Sequence, residues 1–346
     1  MKEERIRYID ILRGLATIGV IVIHVSANNW YGYIGSKDWI IFTIYEGMCK
    51  VAVPLFFMIS GCLFLSDERN MTLKYLYKSH ILKMIIFLIF WSAVYKFANN
   101  IQIIKSGQAM LSAFTEILAG NTQIHLWYIY SIIGLYLITP VLKIYANNSS
   151  KTQLLYGIIC CFCIGPMTEF LQQFSCFSYL TNNLIRIKGG MEFGYIGYYL
   201  LGYYIKKYEI VRKNRICIYF MGFLCSIVTI GLVIGDCMNS QSIMERFWSY
   251  TMPCIAIASA AVFIFIKYKN IRVKYLANVL EAIAKRSLGI YGCHFLFVMV
   301  FWKVGITTFS FPGIISVPII SAIVLLLSYY FSVLINKIPF LGKYIA

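Results

Sequence analysis

IISVPIISAIVLLLSYYFSVLI, residues 314–335, contains no Asp, Glu, Lys, Arg or His. A helix needs about 20 such residues to cross the ~30 Å hydrocarbon core of a bilayer. Lipid offers no partner to an unpaired backbone N–H or C=O, so a segment of this kind spans as a helix or not at all. Working back toward the N-terminus with the same ruler predicts nine more spans, at 10–27, 39–65, 84–100, 125–143, 153–171, 190–206, 216–235, 247–266 and 286–304. The expected fold is an all-α polytopic membrane bundle of about ten helices.

Composition agrees with that class. Of 346 residues, 60% are hydrophobic and 13% charged, against roughly half apolar and about a quarter charged in soluble chains. Gly/Pro-rich linkers, low-complexity runs and fixed-period repeats are absent from the sequence, which predicts one domain over 1–346. A cleaved signal peptide is a poor reading of the N-terminus. The apolar stretch after Ile11 holds Arg13, lacks a small-residue cleavage site, and is followed by many more spans.

A net charge of +17 would suggest nucleic acid in a soluble protein. Here the positions of the charges argue against it. With the N-terminus placed in the cytoplasm, 23 of the 31 Lys and Arg fall in inner segments and seven in outer ones, while Lys50 lies within a span. That positive-inside bias predicts both termini in the cytoplasm and a multi-pass protein of the cell membrane. Eleven cysteines are scattered through the chain, and the tightest group, Cys160, Cys161 and Cys163, has no His or carboxylate nearby in sequence. Neither a zinc spacing nor a disulfide framework is present, and no metal site is expected.

Ionisable groups inside a span cost several kcal/mol unless they pair or face a wet cavity, so each is a functional candidate. The first span, YIDILRGLATIGVIVIH (8–24), holds Asp10, Arg13 and His24. Eleven residues at about 100° each come within about 20° of three full turns, so Arg13 and His24 share a face. The rise between them is roughly 16 Å. One face therefore offers an anion anchor at the inner rim and a titratable imidazole beyond mid-membrane. A snorkelling Arg with a hydrogen-bonded core His is the structural alternative.

Arg, ten residues and His within D-x-L-R-G…H resemble the signature of acyltransferase family 3. These are membrane enzymes that move acyl groups, often acetyl, from cytoplasmic acyl-CoA to extracytoplasmic or lipid-linked glycans. Four further blocks are similar to that family in order: VPLFFMISGCLF (53–64), HLWYIYSIIGLYLITPVL (125–142), GYYLLGYYI (197–205) and SLGIYGCHFLF (287–297). The resemblance covers nearly the whole chain and is of the short single-domain type. Departures are Lys50 where the family often has Arg, Ser79-His80-Ile81-Leu82-Lys83 where it commonly has Lys-Arg-Ile-Leu-Arg, and Phe87 and Phe295 where it has Pro. Lys keeps the charge but loses the bidentate fork that suits phosphate.

The resemblance implies an O-acyltransferase, O-acetyl above all, with acyl-CoA (acetyl-CoA) as donor substrate and no permanently bound cofactor. The implied partners are membrane lipid and a glycan or lipid-linked saccharide acceptor of a bacterial cell envelope, with no nucleic acid. His24 is then the general base, since a hydroxyl is a weak nucleophile and an imidazole can take its proton. Glu46, expected at similar depth, either orients His24 or neutralises Lys50 four residues on. Arg13, Lys50 and Lys83 are expected at the acyl-CoA phosphates. Asp10, His125, Trp127 and His294 are expected at the acceptor or in a polar network. His125 and Trp127 also fit a plain interfacial anchor, and His80 a solvated helix end. The competing reading is a permease for a small polar solute or acyl group; no internal symmetry of the kind transporters carry is visible. A third is a catalytically silent sensor or scaffold.

Overall fold

The computed structural model describes residues 6–66, 72–99, 107–118, 123–177, 190–269 and 274–345. Every regular element among them is helical. In chain order these are α1 (Arg7–Ala27), α2 (Lys37–Cys49), α3 (Ala52–Phe64), α4 (Leu73–Tyr75), α5 (Leu82–Asn99), α6 (Gly107–Leu118), α7 (Trp127–Asn148), α8 (Lys151–Phe162) and α9 (Thr168–Leu171). Then come α10 (Gly190–Lys207), α11 (Arg212–Ser240), α12 (Pro253–Tyr268), α13 (Lys274–Lys285), α14 (Ser287–Lys303), α15 (Gly313–Ile335) and α16 (Pro339–Tyr344). Two π-helical turns, Leu76–Ile81 and Cys163–Met167, join α4 to α5 and α8 to α9.

Seven of these units are long and apolar enough to cross a bilayer, and an eighth if the bent pair α13–α14 is one span. They make the chain a multi-pass membrane protein. All ten expected segments fall on helices, but two do not pass as spans: α10, which is not apolar enough, and α12, a shorter apolar helix of 16 residues. Its expected span began at 247, whereas Pro253 opens the helix and residues 247–252 form turns. Proline lacks an N–H and is suited to a first helical position, which explains the late start. Of the cations used to read the topology, Lys2, Arg5, Arg69, Lys105, Arg186, Lys188 and Arg272 lie outside the described residues.

Local chemistry sets the breaks that matter for the site. Ser36 caps α2 by accepting the Trp39 N–H at 3.1 Å. Lys50 and Val51 then separate α2 from α3, and Pro54 sits in the first turn of α3, where a missing N–H costs nothing. The stretch expected as one helix at 39–65 is thus a single span, Lys37–Phe64, interrupted for two residues. At its break α1 crosses closely: a Cβ on Gly19 would lie 2.9 Å from that of Ala52. Helix α3 meets α10 more closely still. A Cβ on Gly61 would overlap the Tyr199 carbonyl, and one on Gly202 would overlap the Met58 carbonyl. In lipid, helices associate through such small-residue contacts, because burial of apolar surface gives little.

Helix α13 was not foreseen. It bends from α14 by 81° and lies against α1, where Gly14 admits the Leu280 carbonyl. Arg7 Nε donates to Glu281 at 2.9 Å and ties the two helices at the same end.

Candidate active site

Helix α1 presents His24 at the wall of a small, narrow cleft. Val20, Val53, Phe56, Trp127, Tyr128, Tyr250 and Tyr291 line the cleft with His24 and His125. The side chains come from α1, α3, α7, α14 and the turns before α7 and α12.

Three of the four histidines of the chain meet here. Ring centres stand 5.8 Å apart for His24 and His125, 5.2 Å for His24 and His294, and 5.1 Å for His125 and His294. His24 is half-buried and open to the cleft. His125 and His294 are 2% and 0% exposed. Neither ring nitrogen of His125 has a hydrogen-bond partner, and neither does Nε2 of His294. The Tyr291 hydroxyl donates to the backbone carbonyl of His125, and Tyr95 Oη donates to the Gly292 carbonyl at 2.8 Å. Gly292 is needed there, since a Cβ would run into the indole of Trp91. Phe295 packs its ring 5.5 Å from that of His24 and 5.4 Å from that of His125. An aromatic shell thus fixes three imidazoles in a site with few other polar groups.

Glu46 and Lys50 form the second buried polar group. Lys50 Nζ donates to Glu46 Oε1 at 2.8 Å, and Trp248 Nε1 donates to the same oxygen at 2.7 Å. The ammonium also lies 4.5 Å from the Trp248 ring centre and 4.7 Å from that of Tyr250. None of the hydrogen bonds of Glu46 goes to His24. Of the two roles the sequence left open for this carboxylate, the contacts match the neutralisation of Lys50.

The cations expected at the donor phosphates sit in different surroundings. Arg13 is half-buried on α1, 3.8 Å from the buried carboxylate of Asp10. Lys83 is half-buried in the first turn of α5. Lys50 is 5% exposed and enclosed by Glu46, Trp248 and Tyr250, so it is an internal ion pair and not an open anion anchor. His80 lies in the π-helical turn, its ring 4.8 Å from Phe64 and 5.4 Å from Tyr75. Trp127 lines the cleft with its ring 5.7 Å from Tyr195 and 5.6 Å from Tyr250. No group of His, Cys, Asp and Glu among the described residues is arranged to hold a metal ion.

Several residues of the cleft and of the neighbouring ion pair escape a reading of the sequence. Tyr128 and Tyr291 sit inside the quoted blocks, yet aromatics there look like core packing. Trp248 and Tyr250 lie in a stretch read as the start of a span, and no local pattern links Trp248 to Glu46, 202 residues away.

No curated protein and no solved structure matches the chain. The family model described as "Acyltransferase domain" matches residues 6–335, nearly the full length, and takes in α1 with Arg13 and His24, both α2 and α3, and the helix that carries His294. The chain therefore belongs to acyltransferase family 3.

Proposed function

We propose that this protein is a membrane O-acyltransferase that takes an acetyl group from cytoplasmic acetyl-CoA and places it on a hydroxyl of a cell-envelope glycan or lipid-linked saccharide. One observation carries the reading. His24 stands at the wall of a cleft, on the same helix face as Arg13 eleven residues earlier. In the proposed topology both termini are cytoplasmic, ten spans form a single domain, and Arg13 lies at the inner rim with Lys83 beside the donor path. Arg13 holds acyl-CoA phosphates by charge-assisted bonds. Its rim position places the thioester deeper in the membrane, toward His24.

The acceptor hydroxyl oxygen attacks the thioester carbonyl while its proton passes to a His24 ring nitrogen. The C–S bond then breaks, and the CoA thiolate takes the proton back from the imidazolium, so atoms and charge balance. General-base assistance of this kind is typically worth about 10²–10⁴-fold. Mass spectrometry of envelope glycans from cells with and without the gene tests the reading. Loss of an acetyl increment on one glycan is the expected result. Identical glycans with altered uptake of a small solute would favour a permease instead.

A further inference from the structure

His294 holds its ring against two backbone carbonyls of its own helix. Nδ1 lies 2.8 Å from the Tyr291 oxygen and 3.2 Å from the Ile290 oxygen. A carbonyl only accepts, so Nδ1 carries the hydrogen and Nε2 is left with a lone pair. That Nε2 is fully buried and unpartnered. A buried acceptor without a donor costs about 1–3 kcal/mol, so a donor is expected within reach.

The ring centre of His24 stands 5.2 Å away, at an interplanar angle of 41°. Two imidazoles joined nitrogen to nitrogen at about 2.9 Å, with a ring radius added on each side, have centres about 5.2 Å apart. The observed separation is thus the one such a bond requires. His125 is the competing donor, its centre 5.1 Å from that of His294, but of the two buried imidazoles only that of His294 is within bonding range of His24. Against His24 it stands at 5.8 Å, too far for a direct bond.

We propose that His294 is the positioning residue of His24: its lone-pair Nε2 accepts the His24 N–H, which fixes one His24 tautomer and turns the other ring nitrogen, with its lone pair, into the cleft. When His24 takes the acceptor's proton, the N–H shared with His294 stays in place and the new proton sits on the cleft side, ready for the departing thiolate. This gives the late His block a task distinct from binding the acceptor. It also supplies His24 with the orienting partner that Glu46, bonded to Lys50 and Trp248, does not provide. The catalytic consequence rests on the acyl-transfer reading, whereas the tautomer does not.

The test uses the full-length protein in nanodiscs, labelled with ¹⁵N-histidine. Only four histidines contribute, so single variants assign each signal. The wild type should show His294 protonated on Nδ1 and His24 as one tautomer. His294→Phe should turn His24 into a mixture of tautomers, His294→Gln should keep one tautomer because its amide oxygen accepts, and His125→Phe should leave His24 unchanged. A His24 signal unmoved by His294→Phe, or moved by His125→Phe alone, overturns the proposal. In membranes given labelled acetyl-CoA, His294→Phe should lower kcat by about 10–100-fold at unchanged KM for acetyl-CoA, with partial return in His294→Gln. If wild-type membranes transfer no acetyl group while the tautomer response holds, the acyltransferase reading fails and the histidine pairing stands.

Discussion

Replacing Glu46 by Gln isolates the buried ion pair beside the site. Both partners are within a few per cent of full burial, with side chains 5% and 6% exposed for Glu46 and Lys50. Removing one charge of such a pair leaves the other uncompensated, at a cost of about 3–5 kcal/mol. The glutamine oxygen still accepts from Trp248 Nε1, and the Trp248 and Tyr250 rings still hold the ammonium. Cation–π contact of that kind offsets about 2 kcal/mol at most when desolvated. Glu46→Gln should therefore destabilise by roughly 1–5 kcal/mol and lower activity. The double variant Glu46→Gln, Lys50→Met removes both charges and places a chain of similar length between two aromatic rings. It should recover most of the lost stability, since replacing both members of a buried pair is often neutral. Unfolding midpoints in detergent, followed by monodisperse elution, give the stability cycle, and acetyl transfer by the same four proteins gives the activity cycle. A double variant no better than the single one in either assay would refute the pairing and return Glu46 to the role of orienting His24.

Arg13→Ala should weaken acetyl-CoA binding more than Arg13→Lys, because a point charge retains part of the phosphate attraction; equal, wild-type affinity in both would remove the anchor. Reporter fusions at residues 110 and 210 should report outside and inside, and a cytoplasmic signal at 110 would sink the ten-span topology. Gly61→Ala should lower thermal stability by at least the ~1–3 kcal/mol typical of overpacking, since its Cβ meets the Tyr199 carbonyl; an unchanged melting midpoint would contradict the close crossing of α3 and α10.

The helices were legible because their signal is local. A run such as 314–335 declares itself without reference to the rest of the chain, and it forms α15. The break at Lys50 and Val51 was less legible, because Pro54 is compatible both with a kinked helix and with a new helix start. Helix α13 was missed for another reason. It is amphipathic and only 12 residues long, and a ruler built for spans passes over it. Within the site, Arg13 and His24 could be placed on one face from spacing alone. The meeting of His24 with His125 and His294 joins α1, the turn before α7 and α14, and nothing local encodes which helices become neighbours. The partner of Glu46 was half legible: Lys50 is four residues away on the same helical course, and Trp248 is reached only by the tertiary fold.

Transfer from labelled acetyl-CoA by His24→Ala, in membranes that carry the native acceptor, tests the central claim most directly. The variant should elute and melt like the wild type, bind acetyl-CoA with similar affinity, and transfer label about 10²–10⁴-fold more slowly. Wild-type transfer by a folded His24→Ala protein would contradict the account, remove the general base, and leave the cleft to be explained as a passage.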